Sequence, residues 1–285
     1  MPQMFHQENS EIYVPDDTDS AGALARTTQL GIGAHHDDLE ILAAAGILEC
    51  FARPDQWFCG VVVTDGGGSP RDLDYRDYSD AEMRKVRRRE QKKAAFVGEY
   101  TAQVFLDYPS ALVKNAQEDR VIEDLRLLIE TTSPEIVYTH NLADKHDTHV
   151  AVVLRVLSAC RRIDPARRPT RVIGCEVWRD LDWLRDDDKV VMQASAREHL
   201  QAALLGVFDS QIAGGKRYDL ATAGRRRAHA TYFESHGTDD ATGLIWGMDL
   251  TPLIHDAKLD PAQYAGDLIA KFQSETTARI TKLRG

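Results

Sequence analysis

The alternation of apolar and polar positions along the chain predicts a parallel α/β sheet. From about Thr28 onward, short runs rich in β-branched and apolar residues alternate with longer stretches in which apolar residues recur with helical period. This is the pattern of consecutive βαβ units, in which each helix carries the chain back across a parallel sheet. The predicted strands are 29–34, 58–64, 103–107, 135–139 and 171–178, and the predicted helices between them are 39–51, 80–97, 117–130 and 149–160.

Two of these helices show further sequence features. Ser79 followed by Glu82 is the pattern of a capping box at a helix start, and Gly98 is a favourable residue just past a helix end. In the helix at 149–160, apolar residues form the stripe of a helix that packs on a sheet, namely Val150, Val153, Leu154 and Leu157. Five strands and four crossovers predict an α/β fold: a Rossmann-like, doubly wound, mostly parallel sheet with helices on both faces.

The regular alternation ends after the fifth strand. We predict a short strand at 190–193, an amphipathic helix at 196–208 and a final helix at 261–283. Residues 1–27 are expected to form an irregular arm. Residues 28–285 are then expected to form a single domain with a C-terminal helical extension.

The composition is that of a soluble globular protein, with 28% charged and 43% hydrophobic residues among 285. No stretch approaches the roughly 20 consecutive apolar residues of a transmembrane helix, and the polar N-terminal segment is unlike a signal peptide. We therefore expect a cytoplasmic protein that does not bind membranes. The four cysteines include no C-x-x-C pair and are expected to be reduced. A net charge of −10 would repel a phosphate backbone, so nucleic acid is not an expected partner.

The first predicted strand leads directly into a cluster of imidazoles and carboxylates: His35, His36, Asp37, Asp38 and Glu40. Ligand sites in open α/β sheets lie outside the carboxyl ends of the strands, so this is where a reaction centre is expected. Histidine and aspartate at i and i+3 can bind a single metal ion from a tight loop. The simpler alternative is a solvated turn in which one aspartate caps the next helix.

Phosphate binding is a further alternative for the glycines near this edge. Gly31-x-Gly33 opens a dinucleotide-binding fingerprint, but His36 stands where the third glycine is required. The run Gly66-Gly67-Gly68 lacks the G-K-[ST] ending of a P-loop and is better explained as a flexible active-site loop.

A second cluster follows the fourth predicted strand and contains His140, Asp144, His146, Asp147 and His149. If a helix begins at about residue 147, His149 lies in its first turn and His146 just before it. Both clusters then lie at the same edge of the sheet. Three nitrogen or oxygen ligands and a water are the usual composition of a catalytic zinc site.

These two clusters resemble the motifs of a known enzyme family. The sequence A-H-H-D-D-L-E at 34–40 resembles the A-H-P-D-D-x-E motif of the PIG-L/LmbE-like de-N-acetylases, and H-D-T-H at 146–149 resembles their later H-P-D-H motif. Weaker similarities extend the resemblance over about 30–236 and include Arg87-x-x-Glu90 and Ser210-Gln211. The family includes deacetylases of bacillithiol and mycothiol biosynthesis, of N-acetylglucosaminyl-phosphatidylinositol and of diacetylchitobiose.

The resemblance implies a role for each matching residue. The metal ligands would be His35, Asp38 and His149, and the metal would be Zn²⁺, with Fe²⁺ or another divalent metal as alternatives. Asp37 would be the general base toward the bound water. His146 would stabilise the oxyanion and could also protonate the leaving amine.

Substrate contacts are also implied, and here the chain departs from the family pattern. Arg87 gains a substrate-binding role, and Ser110 stands where an aspartate often contacts the sugar. His36 replaces the motif proline, which removes a constraint on the ligand loop. Thr148 replaces an aspartate, so a carboxylate partner for His146 is expected to come from Asp144 or Asp147.

The sequence thus predicts a metal-dependent amide hydrolase that removes an acetyl or other acyl group from an N-acyl amino sugar, such as an N-acetylglucosamine derivative, or a related small amine. Two alternatives stay open: a metal-dependent phosphohydrolase, since His146-Asp147 is similar to the H-D pair of such enzymes, and a non-catalytic metal- or nucleotide-binding module. The expected partner is the small-molecule substrate, and the sequence leaves a homo-oligomer open.

Overall fold

A computed structural model describes residues 4–285, and its central element is an eight-stranded mixed sheet with helices on both faces. The strands are β1 Glu11–Tyr13, β2 Gln29–Gly33, β3 Phe58–Thr64, β4 Ala102–Tyr108, β5 Ile136–His140, β6 Arg171–Cys175, β7 Lys189–Gln193 and β8 Leu244–Asp249. The helices are α1 Ser20–Ala25, α2 Asp38–Leu42, α3 Ala44–Cys50, α4 Asp80–Val97, α5 Ser110–Lys114, α6 Arg120–Thr132, α7 Asp147–Arg162, α8 Glu198–Gly206, α9 Asp209–Ile212, α10 Tyr218–Tyr232, α11 Thr251–His255 and α12 Pro261–Arg284. The predicted α/β fold is confirmed.

The strand order is β1-β4-β3-β2-β5-β6-β8-β7. The five strands from β4 to β6 run parallel, whereas β1, β8 and β7 pair in antiparallel fashion. From β2 the chain winds outward through β3 and β4, and it then returns to β5 on the other side of β2. This reversal is a topological switch point, and the crevice above it is the usual ligand site of a doubly wound sheet.

The sheet is buried on both faces because its strands alternate between two apolar layers. In β3, Val61 and Val63 belong to the layer that includes α6 and α7, whereas Phe58 packs with α3 and α8 on the other face. All seven residues of β3 are buried. Near-continuous apolar strands of this kind are typical of parallel sheets that are covered by helices on both sides.

The central helices and strands agree with the sequence analysis to within a few residues at most boundaries. Helix α4 has the predicted bounds, and its capping box is formed: Ser79 Oγ accepts from the Glu82 N–H, and the Glu82 carboxylate accepts from the Ser79 N–H. The helix predicted at 39–51 is divided into α2 and α3, because the backbone leaves the helical region at Ala43.

The expectation of an irregular N-terminal arm is wrong for residues 4–27, while residues 1–3 lie outside the described residues. Strand β1 pairs with β4, and Glu11 forms ion pairs with Arg88 and Lys92 of α4. The sequence did not reveal this strand, because three residues are too few to show a strand period and the partner strand is distant in sequence.

Among residues 4–285, no helix combines the length and the apolar character required to span a bilayer.

Candidate metal and active site

The two predicted clusters converge at the switch point between β2 and β5. The loop after β2 carries His35 to Asp38, and the segment after β5 leads through His146 into the first turn of α7. Asp37 adopts a left-handed backbone with φ 93°, which is uncommon for a residue other than glycine. Strained backbone of this kind often occurs at functional sites, where surrounding contacts maintain it.

Three donor atoms meet at this point in the geometry of a metal site. His35 Nδ1 lies 3.1 Å from His149 Nε2 and 3.3 Å from Asp38 Oδ2, and the latter two atoms are 3.4 Å apart. Ligand atoms at about 2.0–2.2 Å from a tetrahedral zinc ion are separated by about 3.3–3.5 Å. The residues therefore fit a divalent metal. His149 and Asp38 are buried, so their polar atoms lie where water cannot easily compensate them.

Charges within the cluster keep the ligand carboxylate ionised. Burial opposes ionisation of Asp38, but the positive charge of the neighbouring His149 holds its pKa well below the usual range. Burial lowers the pKa of His35, which favours the neutral imidazole that a metal requires.

The carboxylate expected near His146 instead faces His149. Asp144 Oδ1 lies 3.5 Å from His149 Nδ1 and also accepts from the His146 N–H at 2.9 Å. The ring of His146 has a different partner, because its Nδ1 accepts from the Thr148 N–H at 3.3 Å. Asp147 is exposed. The expectation that Asp144 or Asp147 supports the His146 ring is therefore corrected: Asp144 is placed to orient the proposed ligand His149.

His140 is a buried member of the cluster for which the sequence suggested no role. Its Nε2 lies 3.3 Å from Asp38 Oδ2 and accepts from the Ala34 N–H at 2.9 Å, and its ring stacks on His149 at 3.8 Å. Burial lowers the pKa of His140 to about 4, so the ring is neutral at pH 7. With its lone pair occupied by Ala34, this imidazole supports the loop after β2 rather than offering a fourth ligand.

Asp37 lines the pocket beside the donor residues and forms an ion pair with Arg87 of α4. Its Oδ2 forms an ion pair with Nη2 of Arg87 at 3.0 Å, and the hydrogen bonds of the guanidinium go instead to the His36 carbonyl and to Ser69 Oγ. Burial raises the pKa of Asp37 to about 8, although the adjacent Arg87 lowers it. Arg87 thus donates two hydrogen bonds to the protein itself, whereas the sequence analysis expected it to contact the substrate.

A pocket of about 510 Å³ opens above these groups. Its lining includes six of the residues singled out from the sequence, His35, Asp37, Asp38, Arg87, Ser110 and His146, whereas His149 lies fully buried behind them. The Gly66 to Ser69 loop also contributes to the wall, as expected for an active-site loop.

Residues 30–160 match the family model described as "PIG-L: GlcNAc-PI de-N-acetylase". This segment is similar to the PIG-L family, and we call it the PIG-L segment. It contains all three proposed metal ligands, His35, Asp38 and His149, together with Asp37 and His146. No curated protein matches the chain in sequence.

Solved structures share the fold of the PIG-L segment and its surroundings. N,N'-diacetylchitobiose deacetylase from Pyrococcus horikoshii has a TM-score of 0.60 and 16% identity, over 77% of this chain and 83% of that one. A deacetylase of the teicoplanin pathway has a TM-score of 0.54 and 19% identity, over 78% and 98%. The 4-carboxy-2-hydroxymuconate hydratase GalB from Pseudomonas putida KT2440 has a TM-score of 0.57 and 15% identity, over 78% and 95%. At such identities the similarity concerns the fold.

Residues beyond the PIG-L segment complete the pocket. Ser210, in α9, donates through Oγ to Glu90 Oε2 at 2.6 Å, and its N–H donates to Glu90 Oε1 at 2.8 Å. This contact explains the paired Arg87-x-x-Glu90 and Ser210-Gln211 motifs, because it fixes α9 on α4 beside the pocket. The aromatic wall formed by Trp178 and Tyr218 was not found from the sequence, since neither residue lies near a recognisable motif.

His36 occupies the position of the family proline but lies outside the pocket lining. Its ring is buried and stacks on Phe105 at 5.6 Å, and neither ring nitrogen has a hydrogen-bond partner among the described residues. Gly66 crosses directly above with φ 72°. The imidazole therefore packs the underside of the glycine loop, and its burial lowers its pKa well below the usual range.

Proposed function

We propose that the protein is a metal-dependent amide hydrolase that removes an acetyl or other short acyl group from an amino sugar or a related small amine. The observation that carries this proposal is the triangle of donor atoms from His35, Asp38 and His149, with edges of 3.1, 3.3 and 3.4 Å, at the base of a pocket that Asp37 also lines. The PIG-L segment supports an assignment to de-N-acetylation.

The three donor residues would hold one divalent metal, with Zn²⁺ as the proposed ion because two imidazoles and a carboxylate are ligands that it prefers. When bound, the ion would lower the pKa of a water molecule and polarise the amide carbonyl. Asp144 would orient His149, and the neutral ring of His140 would maintain the loop after β2 through the Ala34 N–H.

Asp37 is proposed as the general base. Its carboxyl group lines the pocket and lies 3.0 Å from Arg87, whose positive charge opposes the rise in pKa that burial causes and so favours the ionised form that a base requires. It would accept the proton of the attacking water.

His146 is proposed to stabilise the negative charge that develops on the amide oxygen. Its Nδ1 accepts from the Thr148 N–H, so the neutral ring carries its proton on Nε2 and can donate from there. Burial together with the nearby His149 lowers the pKa of His146, which favours that neutral donor form. Ser110 and the Gly66 to Ser69 loop would contact the rest of the substrate.

A substrate panel tests this proposal. The metal-loaded protein is incubated with N-acetylglucosamine, its 1-phosphate, N,N'-diacetylchitobiose and N-acetyl amino acids, and release of free amine and of acetate is measured for each. We expect equimolar amine and acetate from at least one amino sugar, and loss of both products in Asp37→Asn. Absence of amine release from every N-acyl compound would contradict the proposal. Release of inorganic phosphate alone would favour the phosphohydrolase alternative.

A further inference from the structure

Three cationic side chains of the pocket lack carboxylate partners. Lys114, Lys216 and Arg225 all line the pocket, and among residues 4–285 none of them lies within 4.0 Å of a carboxylate oxygen. Two cationic residues close to them in the sequence do have carboxylate partners: Arg217 pairs with Asp219 at 2.7 Å, and Arg227 pairs with Glu198 at 2.8 Å. In a chain with a net charge of −10, unpaired cations gathered at one pocket form a local field opposite to that of the whole protein.

Two of these cations contact the segment that contains Val177 and Trp178. Arg225 donates through Nη1 to the Val177 carbonyl at 2.7 Å, and Lys216 Nζ lies 5.1 Å from the centre of the Trp178 ring. The Trp178 ring in turn contacts Tyr218 edge to face at 6.0 Å. One arm of the Arg225 guanidinium is thus fixed, while its other N–H donors remain available for a ligand.

Lys114 extends the cationic character to a second element of the pocket. It lies four residues after Ser110 in α5, and residues at this spacing share a helix face. The acidic residues of the lining are Asp37 and Asp38, of which the first pairs with Arg87 and the second belongs to the proposed metal site. The pocket therefore contains cations without matching anions.

This charge distribution restricts the substrate of the proposed hydrolase. Cleavage of the amide produces an amine that takes up a proton at neutral pH, and the unpaired cations would disfavour a ligand whose only charge is positive. A carboxylate or phosphate on the same molecule would make its binding favourable, because Lys and Arg form charge-assisted hydrogen bonds with such groups. We infer that Lys216 and Arg225, together with Lys114, form a subsite for an anionic group on the substrate. This inference rests on the proposed function.

Kinetic comparison of charged and neutral substrates tests the subsite. The wild-type protein is assayed on N-acetylglucosamine, N-acetylglucosamine 1-phosphate and N-acetylmuramic acid, which are neutral, phosphorylated and carboxylated. We expect kcat/KM to be at least about tenfold higher for one of the two anions than for the neutral sugar, and the preferred anion separates phosphate from carboxylate recognition. In Lys216→Gln this ratio should fall several-fold. Equal kcat/KM for all three compounds in the wild type overturns the inference.

Arg217→Gln is the matched control. It removes one positive charge at the position next to Lys216, but the Arg217 side chain pairs with Asp219 and does not line the pocket. The ratio should be retained in this variant. An equal fall in Arg217→Gln and Lys216→Gln would indicate a general field effect and overturn the subsite.

A binding measurement separates failure of the subsite from failure of the proposed function. Titration of glucosamine 1-phosphate and of muramic acid into the metal-loaded protein by calorimetry requires no hydrolysis. Weaker binding to Lys216→Gln than to the wild type and Arg217→Gln supports the subsite even if no amide is cleaved. Equal binding of the preferred anion by all three proteins overturns it, whatever the outcome of the activity assays.

Discussion

Gln91 accepts a hydrogen bond from the backbone N–H of Asp37 at 3.1 Å, and this contact links helix α4 to the proposed general base. The amide of Gln91 is fully buried and donates through Nε2 to Glu40 Oε1 at 2.8 Å, while Tyr100 donates to the same oxygen at 2.7 Å. A buried hydrogen-bond network thus holds the residue whose backbone is in the left-handed region.

We predict that Gln91→Met lowers kcat by about tenfold while KM and metal content change little. The substitution nearly conserves volume but leaves the Asp37 N–H without its acceptor, and an unsatisfied buried donor costs about 1–3 kcal/mol. The loop after β2 should then lose the orientation of the Asp37 carboxylate. Steady-state kinetics on a cleaved substrate and metal analysis of the same sample provide the measurement.

Tyr100→Phe is the control for this prediction, since it removes another hydrogen bond of the network without touching Asp37. It should reduce the melting temperature with a smaller effect on kcat than Gln91→Met. If both variants lose kcat in proportion to their loss of stability, Gln91 has a structural role only.

The proposed metal ligands can be distinguished from the other histidines by substitution. We predict that His149→Ala abolishes metal binding, because it removes the donor atom that lies within 3.4 Å of both His35 Nδ1 and Asp38 Oδ2. His146→Ala should retain one metal per chain and lose activity. The comparison matters because His35, His146 and His149 also form a compact group. Metal loss in His146→Ala, measured by elemental analysis, would reassign the ligand set.

For Asp37→Asn we predict retention of the metal with a loss in kcat of about 10²-fold or more, the usual contribution of a general base. The adjacent Asp38 supplies the carboxylate of the proposed site, whereas Asp37 contacts Arg87 at 3.0 Å. Because the substitution leaves the buried Arg87 unpaired, circular dichroism must accompany the assay. A folded variant that is both inactive and metal-free would show that the roles of the two aspartates are reversed.

The sequence predicted which residues meet but not how each side chain is used. Periodicity placed β2 and β5, and the rule for carboxyl ends brought His35 and His149 to one edge, so the convergence needed no tertiary information. The partner of Asp144 could not be predicted in this way, since it depends on ring orientations at the start of α7. Arg87 was expected to contact the substrate, whereas the structure shows it beside Asp37. Arg87 and Gln91 are four residues apart in α4 and therefore lie on one helix face, and this spacing was the only sequence feature that linked Gln91 to the site.

Gly66 should be the most sensitive position of the glycine loop. Its φ is 72°, and a Cβ atom built there lies 2.8 Å from Nδ1 of His36, a ring that is itself fully packed against Phe105. Alanine in the left-handed region costs about 1–2 kcal/mol before the steric conflict is counted. We therefore predict that Gly66→Ala lowers the free energy of unfolding by at least about 1–2 kcal/mol, measured by urea denaturation.

Gly68→Ala is the matched control, because a Cβ at Gly68 meets nothing within 4 Å and its φ is not positive. It should leave the free energy of unfolding within about 0.5 kcal/mol of the wild type, as expected for a surface substitution. The double variant Gly66→Ala with His36→Ala should recover the steric part of the loss and retain the backbone part. If Gly66→Ala and Gly68→Ala are equally stable, His36 does not support the loop in the way that its packing indicates.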